Sequence, residues 1–117
     1  MANTVSWFEI MGKDGKKLQG FYGELFDWKV DAGNPMNYGM VEGGEGGIGG
    51  GIGASQDGSK SVTFYVSVDD PQAYLDKAEK LGGKTVVPVT EVPDMVTFAQ
   101  FADPEGNVVG VFKSRPS

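Results

Sequence analysis

The chain contains no histidine and no cysteine. The first absence removes the commonest metal ligand and the commonest general base near neutral pH. The second removes disulfides and thiol nucleophiles. Positive charge is also sparse: 10 lysines and arginines stand against 16 aspartates and glutamates, a formal net charge of -6. Lys16, Lys17, Lys29, Lys60, Lys77, Lys80 and Lys84 are scattered, with no stripe dense enough to follow a phosphate backbone. Nucleic acid and an anionic membrane surface are therefore excluded as expected partners. No apolar run approaches the length of a membrane span, and "MANTVSWFEI" lacks a basic segment followed by an apolar one. The expectation is a cytoplasmic protein with no membrane association.

Glycine is what the chain has in excess, 19 of 117 residues, concentrated in "EGGEGGIGGGIGAS" from Glu42 to Ser55. Gly44-x-Gly46-x-x-Gly49 matches the dinucleotide-binding spacing, but that motif has to sit between a buried strand and the helix it opens. Here a turn and the strand beginning at Ser61 follow instead. A second decoy, "AEKLGGKT" from Ala78 to Thr85, has Ala78 where a phosphate loop needs its first glycine. It also ends a helix, where exposed carbonyls repel a phosphate. Two readings of the glycine run remain. It is a strand over Gly46 to Gly53, whose bare backbone allows close approach of another group, or it is a flexible surface hairpin followed by a linker.

A hydrophobic content of 39% with 11% aromatics suffices for the core of one domain, 1–117. "VSWFEIM" alternates as a strand, and Leu18, Phe21, Tyr22, Leu25 and Phe26 recur at helical spacing from about Gly15 to Phe26. Short strands follow in "DWKVDA" and "MNYGMVE". The order then restarts. "SVTFYVSV" alternates strictly, Asp69 or Asp70 caps a helix with Pro71 at its first position, and Gly82-Gly83 end it. "KTVVPV", "MVTFAQFA" and "VVGVFK" are three more strands, the last two joined by the turn "DPEGN". A strand–helix–three-strand module is thus written twice, over about residues 4–55 and about residues 60–114. The expected fold is α+β, with two βαβββ modules forming curved half-sheets around a shared cleft.

"WFEI", "FYGELFDWKV", "TFYVSVDDPQAYLDKAEKLGGKTVVPV" and "FADPEGNVVGVF" together resemble the vicinal oxygen chelate superfamily. That group includes glyoxalase I, bleomycin-resistance proteins and extradiol dioxygenases, and the resemblance covers nearly the whole chain. It implies paired βαβββ modules and, for a small single-domain member, a homodimer. Metal-dependent relatives hold a divalent ion with four side chains. The resemblance places those positions on Trp7, on the stretch Gly50 to Ile52, on Thr63 and on Gly110. Apart from a threonine hydroxyl, none of these is a ligand for zinc, nickel or iron. The expectation is a member lacking the metal ligands, with no metal and no cofactor. Glycine where relatives carry a ligand would let a bound molecule lie flat against the backbone.

Strand alternation turns Phe8, Ile10, Phe64, Val66 and Val68 toward the helices. Trp7, Glu9, Thr63, Tyr65 and Ser67 then line the other face with Val108, Gly110 and Phe112, joined by Tyr38 and Met40. In the penultimate strand the inward set is either Val96, Phe98 and Gln100 or Thr97, Ala99 and Phe101. An aromatic wall with few polar groups is the composition of a small-molecule site, though the same residues suit a closed core or a subunit contact. The expected ligand contacts are Trp7, Glu9, Tyr38, Thr63, Tyr65, Phe98, Gln100, Gly110 and Phe112. The ligand is expected to be aromatic and neutral or cationic, in keeping with the acidic chain. Glu9 is the one candidate catalytic group, a general base if burial raises its pKa. Two alternatives stand beside this binder: a lyase, isomerase or dioxygenase-type enzyme that uses Glu9 with Tyr65 or an unexpected metal site, and a structural or partner-binding module with a plugged cleft.

Overall fold

The computed structural model describes residues 3–93 and 96–114. Residues Trp7–Thr63 form one compact unit; the described residues from Phe64 onward, with those before Trp7, form another. The elements are β1 (Val5–Gly12), α1 (Gly15–Phe26), β2 (Val30–Asp31), β3 (Gly39–Val41), β4 (Gly49–Ala54), β5 (Ser61–Ser67), α2 (Pro71–Lys80), β6 (Lys84–Val92), β7 (Val96–Ala102) and β8 (Val108–Ser114). The strand–helix–three-strand order occurs twice and the class is α+β, as the sequence suggests.

In the first repeat the strands lie in the order β2-β3-β4-β1. β4 runs parallel to β1 and antiparallel to β3. α1 starts because Asp14 is an extended N-cap whose carboxylate accepts from the Lys17 amide at 3.1 Å. It can dock closely on β4 because its first residue is Gly15: a Cβ there would stand 2.6 Å from the Ala54 backbone nitrogen. Gln19 fastens the helix from the side, donating to the Ile52 carbonyl at 2.8 Å and to the Asn37 carbonyl at 3.0 Å. Ile52 is fully buried.

Three boundaries differ from expectation, each for a local reason. β2 shrinks to Val30–Asp31 because Asp27 adopts the left-handed C-cap conformation, φ 57°. β3 begins only at Gly39 because Asn34 organises the preceding turn, its Oδ1 accepting from the Met36 and Tyr38 amides. The glycine run is a turn before it is a strand. The Gly47 amide bonds the Gly44 carbonyl at 2.9 Å, Gly46 has φ 78°, and β4 starts at Gly49. Both leading glycines of the dinucleotide-like spacing therefore sit in a turn, and no helix follows.

In the second repeat the order is β5-β8-β7-β6. α2 is capped by Asp70 rather than Asp69, and its end is closed by Gly82 at φ 99° with the Gly83 amide bonding the Ala78 carbonyl at 2.8 Å. β6 extends to Val92 despite Pro88, which is tolerable because β6 is the edge of its sheet and its register shifts twice along β7. The predicted strand start at Met95 lies outside the described residues. Val68, Leu75, Ala99 and Val111 make the core beneath α2, with Val66, Tyr74, Val89 and Phe101 packed around them. Among the described residues no helix is long and apolar enough to cross a membrane.

Candidate functional site

The unit Trp7–Thr63 shows which face of β1 is core. Phe8 packs on Trp28, ring centroids 5.5 Å apart, and the space beside Gly12 is taken by Leu18 of α1. Phe8, Ile10 and Gly12 thus face the helix side, and Trp7, Glu9 and Met11 face the other. Across the parallel ladder those three pair with Gly49, Gly51 and Gly53. The sheet face in front of them is therefore bare backbone.

Tyr38 fills that space. Its ring and hydroxyl occupy the volume a Cβ on Gly51 would need, and its Cδ1 stands 3.2 Å from where a Cβ on Gly53 would be. Trp7 leans over Gly49 in the same way, Cζ3 at 3.2 Å. The Tyr38 hydroxyl accepts from the Trp7 indole N–H at 3.1 Å and donates to a Glu9 carboxyl oxygen at 2.9 Å. Trp7, Tyr38 and Glu9 are thus one half-buried polar array on the face turned away from α1. The glycines accommodate the protein's own rings. This corrects the expectation that they leave a vacant floor for a ligand.

The other unit repeats the device. Tyr65, only 6% exposed, pairs with Gly110 across the β5–β8 ladder and lays its ring over it. Its hydroxyl accepts from Gln100 Nε2 at 2.7 Å. Phe98 and Phe112 stand edge-on to the ring, centroids at 6.3 and 6.4 Å. This decides the parity of β7. Ala99 and Phe101 pack under α2, so Phe98 and Gln100 share the face of Tyr65. Thr63, the last residue of the unit Trp7–Thr63, is buried at 8% exposure, between exposed Val62 and Phe64.

On the opposite face of this unit, beside α2, lies a groove of about 400 Å³ lined by Val66, Tyr74, Lys77, Leu81 and Phe101 among others. None of the residues expected at the site lines it.

The donor set does not fit a divalent ion of the kind bound by metal-dependent relatives. An indole offers only an N–H, Gly51 and Gly110 offer no side chain, and the space above both is taken by tyrosine rings. Among the described residues no three of His, Cys, Asp and Glu converge. What the arrangement can do is stack flat rings, present phenol, carboxyl and amide groups, and pass a proton between Tyr38 and Glu9.

A family model described as a glyoxalase-like domain matches residues 8–112. The Mycobacterium bovis protein named "Putative glyoxylase CFP32" is 26% identical over 119 residues, covering 97% of this chain and 45% of the relative. The chain thus spans about half the length of the curated relatives it matches. Among solved structures, a hypothetical protein of Bacillus halodurans C-125 matches with a TM-score of 0.71 at 12% identity, covering 100% of this chain and 98% of the other. Methylmalonyl-CoA epimerase from Mycobacterium tuberculosis matches at 0.68 and 10% identity, over 96% of this chain and 88% of the other. A glyoxalase/bleomycin resistance protein/dioxygenase superfamily member from Vibrio splendidus 12B01 matches at 0.63 and 15%, over 97% and 100%. At these identities the structural likeness is one of fold.

Proposed function

This chain belongs to the glyoxalase-like domain family, and within that family we propose that it is a small-molecule-binding protein that works without a metal held by its side chains. The observation that carries this is the Trp7–Tyr38–Glu9 array: three polar-tipped side chains, half-buried on the face that α1 does not need for its core. Polar groups on a core-filling face are a cost unless paired, and here they are paired in an order that leaves ring faces and a carboxyl group at one surface. In this reading Trp7, Glu9, Tyr38 and Thr63 are the ligand contacts of one unit, and Tyr65, Phe98, Gln100 and Phe112 those of the other, Gly110 being covered by the Tyr65 ring. The ligand is an aromatic compound, neutral or cationic: rings supply stacking, Glu9 and the net charge of -6 discriminate against anions. A cytoplasmic location and a homodimeric state belong to the same reading.

A thermal-shift screen with planar aromatic compounds of matched size and differing charge tests it. Neutral and cationic members should raise the melting temperature in a concentration-dependent way, and Trp7→Ala should abolish the shift. Indifference to every compound would sink the binder. So would a stoichiometric metal in protein purified without tags or chelators, if its removal abolished binding.

The Tyr38–Glu9 hydrogen bond supports a second reading, an enzyme in which that pair moves a proton. Turnover separates the two: an enzyme of this kind converts a compound that stabilises it and loses that conversion in Tyr38→Phe while keeping the thermal shift, whereas a pure binder converts none of the compounds that stabilise it.

A further inference from the structure

The groove of about 400 Å³ beside α2 holds none of the side chains assigned to ligand binding, and its origin is local. Leu75, 2% exposed, anchors the helix in the core with Ala99 and Val111. One turn later the inward position holds Ala78, whose methyl group cannot fill the volume a leucine fills. Leu81, next in the stripe, is 70% exposed. The last turn of α2 therefore stands clear of Val66 and Phe101, which line the groove from the sheet. Gly83 brings the chain back tightly past the end of the helix: a Cβ there would stand 2.6 Å from the Ala102 carbonyl oxygen. An apolar concavity of this volume has the size of a small-molecule site.

Two polar groups interrupt this lining on the helix side, Tyr74 and Lys77, one turn apart on α2. The Tyr74 hydroxyl accepts from Asn3 Nδ2 at 2.9 Å, which leaves its own proton to donate. Lys77 brings three N–H donors and a positive charge. No acid stands one turn from Lys77 on either side: those positions are Ala73, Tyr74, Lys80 and Leu81. The nearest acids in the chain are engaged elsewhere, Asp76 accepting from Gln72 Nε2 and Glu79 from the Thr85 hydroxyl. Asp103 also lines the groove, but Oδ1 accepts from the Glu105 and Asn107 amides and Oδ2 from Asn107 Nδ2. Lysines in a last helical turn commonly offset its terminal carbonyls. Here the carbonyls of Lys77, Ala78 and Glu79 already receive the amides of Leu81, Gly82 and Gly83, which leaves the ammonium for another anion.

From these features we infer that the groove beside α2 binds an amphipathic monocarboxylate. Its carboxylate is held by the Lys77 ammonium and the Tyr74 O–H, and its apolar tail lies along Ala78, Leu81 and Phe101. A cationic head group would be repelled by Lys77. The net charge of -6 does not prevent this, because exposed charges more than about 8–10 Å away are screened at physiological salt, whereas a direct contact with Lys77 is not. The inference stands independently of what the face of Trp7 and Tyr38 binds, and it calls for the opposite ligand charge.

Octanoate tests it, titrated into the full chain and followed by calorimetry and by the backbone amide chemical shifts. It should saturate at one per chain and move the amides of Tyr74, Ala78 and Gly83 while leaving those of Trp7 and Gly51 in place. Acetate, which lacks the tail, and octylammonium, which reverses the charge, should each bind at least about tenfold more weakly. Lys77→Gln keeps helix propensity and should weaken octanoate about five- to tenfold. Ala78→Leu fills the groove with another good helix former and should abolish binding, with an unchanged helical circular dichroism spectrum showing that the fold is kept. Neither variant should alter stabilisation by aromatic compounds, so this site can fail without the other. No saturable binding of octanoate, octylammonium binding as tightly, shifts centred on Trp7, or an affinity indifferent to Lys77→Gln and Ala78→Leu would overturn the inference.

Discussion

Gly51→Ala adds one methyl group to β4, and its effect should depend on a residue from a different element. A Cβ at position 51 falls within the Tyr38 ring and hydroxyl, so the ring has to leave. Leaving breaks the bond from Trp7 and the bond to Glu9. Two such half-buried hydrogen bonds, at about 1 kcal/mol net each, come to about 2 kcal/mol. Lost burial of part of the ring adds about 1 kcal/mol. Against this, alanine restricts the unfolded chain more than glycine does, which returns about 0.4–1 kcal/mol. Gly51 is not among the positive-φ glycines, so the backbone itself accepts alanine without strain. The expected net loss is about 2 kcal/mol.

Urea unfolding followed by far-UV circular dichroism measures this without relying on Trp7 as the reporter. The decisive comparison is a double-mutant cycle. In a Tyr38→Ala background the methyl meets empty space, so Gly51→Ala should be neutral or slightly stabilising, and the coupling energy should be about 2 kcal/mol. In a Tyr38→Phe background the ring remains, and the steric part of the penalty should remain with it. A coupling below about 0.5 kcal/mol in the Tyr38→Ala cycle would show that the ring does not depend on the glycine, and the account of this site would fail.

Other substitutions probe different parts of the same framework. Gly15→Ala places a methyl 2.6 Å from the Ala54 nitrogen and 2.8 Å from the Gly53 carbonyl carbon, backbone atoms that cannot swing aside. It should cost more than Gly51→Ala, about 3 kcal/mol, and its cycle with Tyr38→Ala should show no coupling. Asp14→Ala removes the cap of α1 and should cost about 1 kcal/mol by urea midpoint, and the longer 3.4 Å cap bond of Asp70 in α2 should be worth less. Asp103 is held below its ordinary value of 3.8 chiefly by the hydrogen bond from the Asn107 side chain. A carboxylate depressed in the folded state contributes stability above its unfolded value, and that contribution is lost as pH falls through the native one. Urea midpoints measured between about pH 6 and about pH 2 should therefore show a small gap between wild type and Asp103→Asn that closes at the acid end; a gap that widens there would contradict the assignment.

Alternation in "SVTFYVSV" was enough to set Tyr65 and Thr63 apart from Val66 and Val68, because period-2 patterning is the direct signature of a strand with unlike faces. The start of α2 at Pro71 and its Gly82–Gly83 end were legible for similarly local reasons, though not the choice of Asp70 over Asp69 as the cap. The parity of "VTFAQFA" was not, since bulky residues occur on both phases. What resolves it is Ala99, whose small side chain fits the crowded centre under Leu75, an effect of packing rather than of sequence pattern. Likewise the length of β3 was not legible, because one asparagine side chain, Asn34, takes up amides that would otherwise extend the strand, nor was that of β2, which the left-handed Asp27 delays. That the glycine run holds a strand open to close approach was one of two readings the sequence allowed; that the approaching group is the ring of Tyr38 was not legible, because it depends on the Asn34 turn.

The two units arrive at one solution by different routes. In one, the ring comes from the residue before β3; in the other, from β5 itself. Each covers a strand glycine, and each hydroxyl is bonded by side chains from the strand on the far side of that glycine's strand, Trp7 and Glu9 of β1 in one case and Gln100 of β7 in the other. A glycine alone would leave a void at these positions, and a void forfeits contacts on all its walls. Tyrosine fills the volume and keeps a polar group at its rim, so the loss of a large side chain at Gly51 or Gly110 is matched by a gain elsewhere in the same unit. It follows that a carboxylate donor introduced at Gly110 cannot simply be added. Gly110→Glu should destabilise the protein strongly while Tyr65 is present, and Tyr65→Ala should relieve much of that penalty even though it removes a buried ring. If Gly110→Glu were tolerated with Tyr65 and its Gln100 bond intact, as read from the chemical shifts of the Gln100 side-chain amide, glycine and tyrosine would be independent and the shared logic of the two units would be lost.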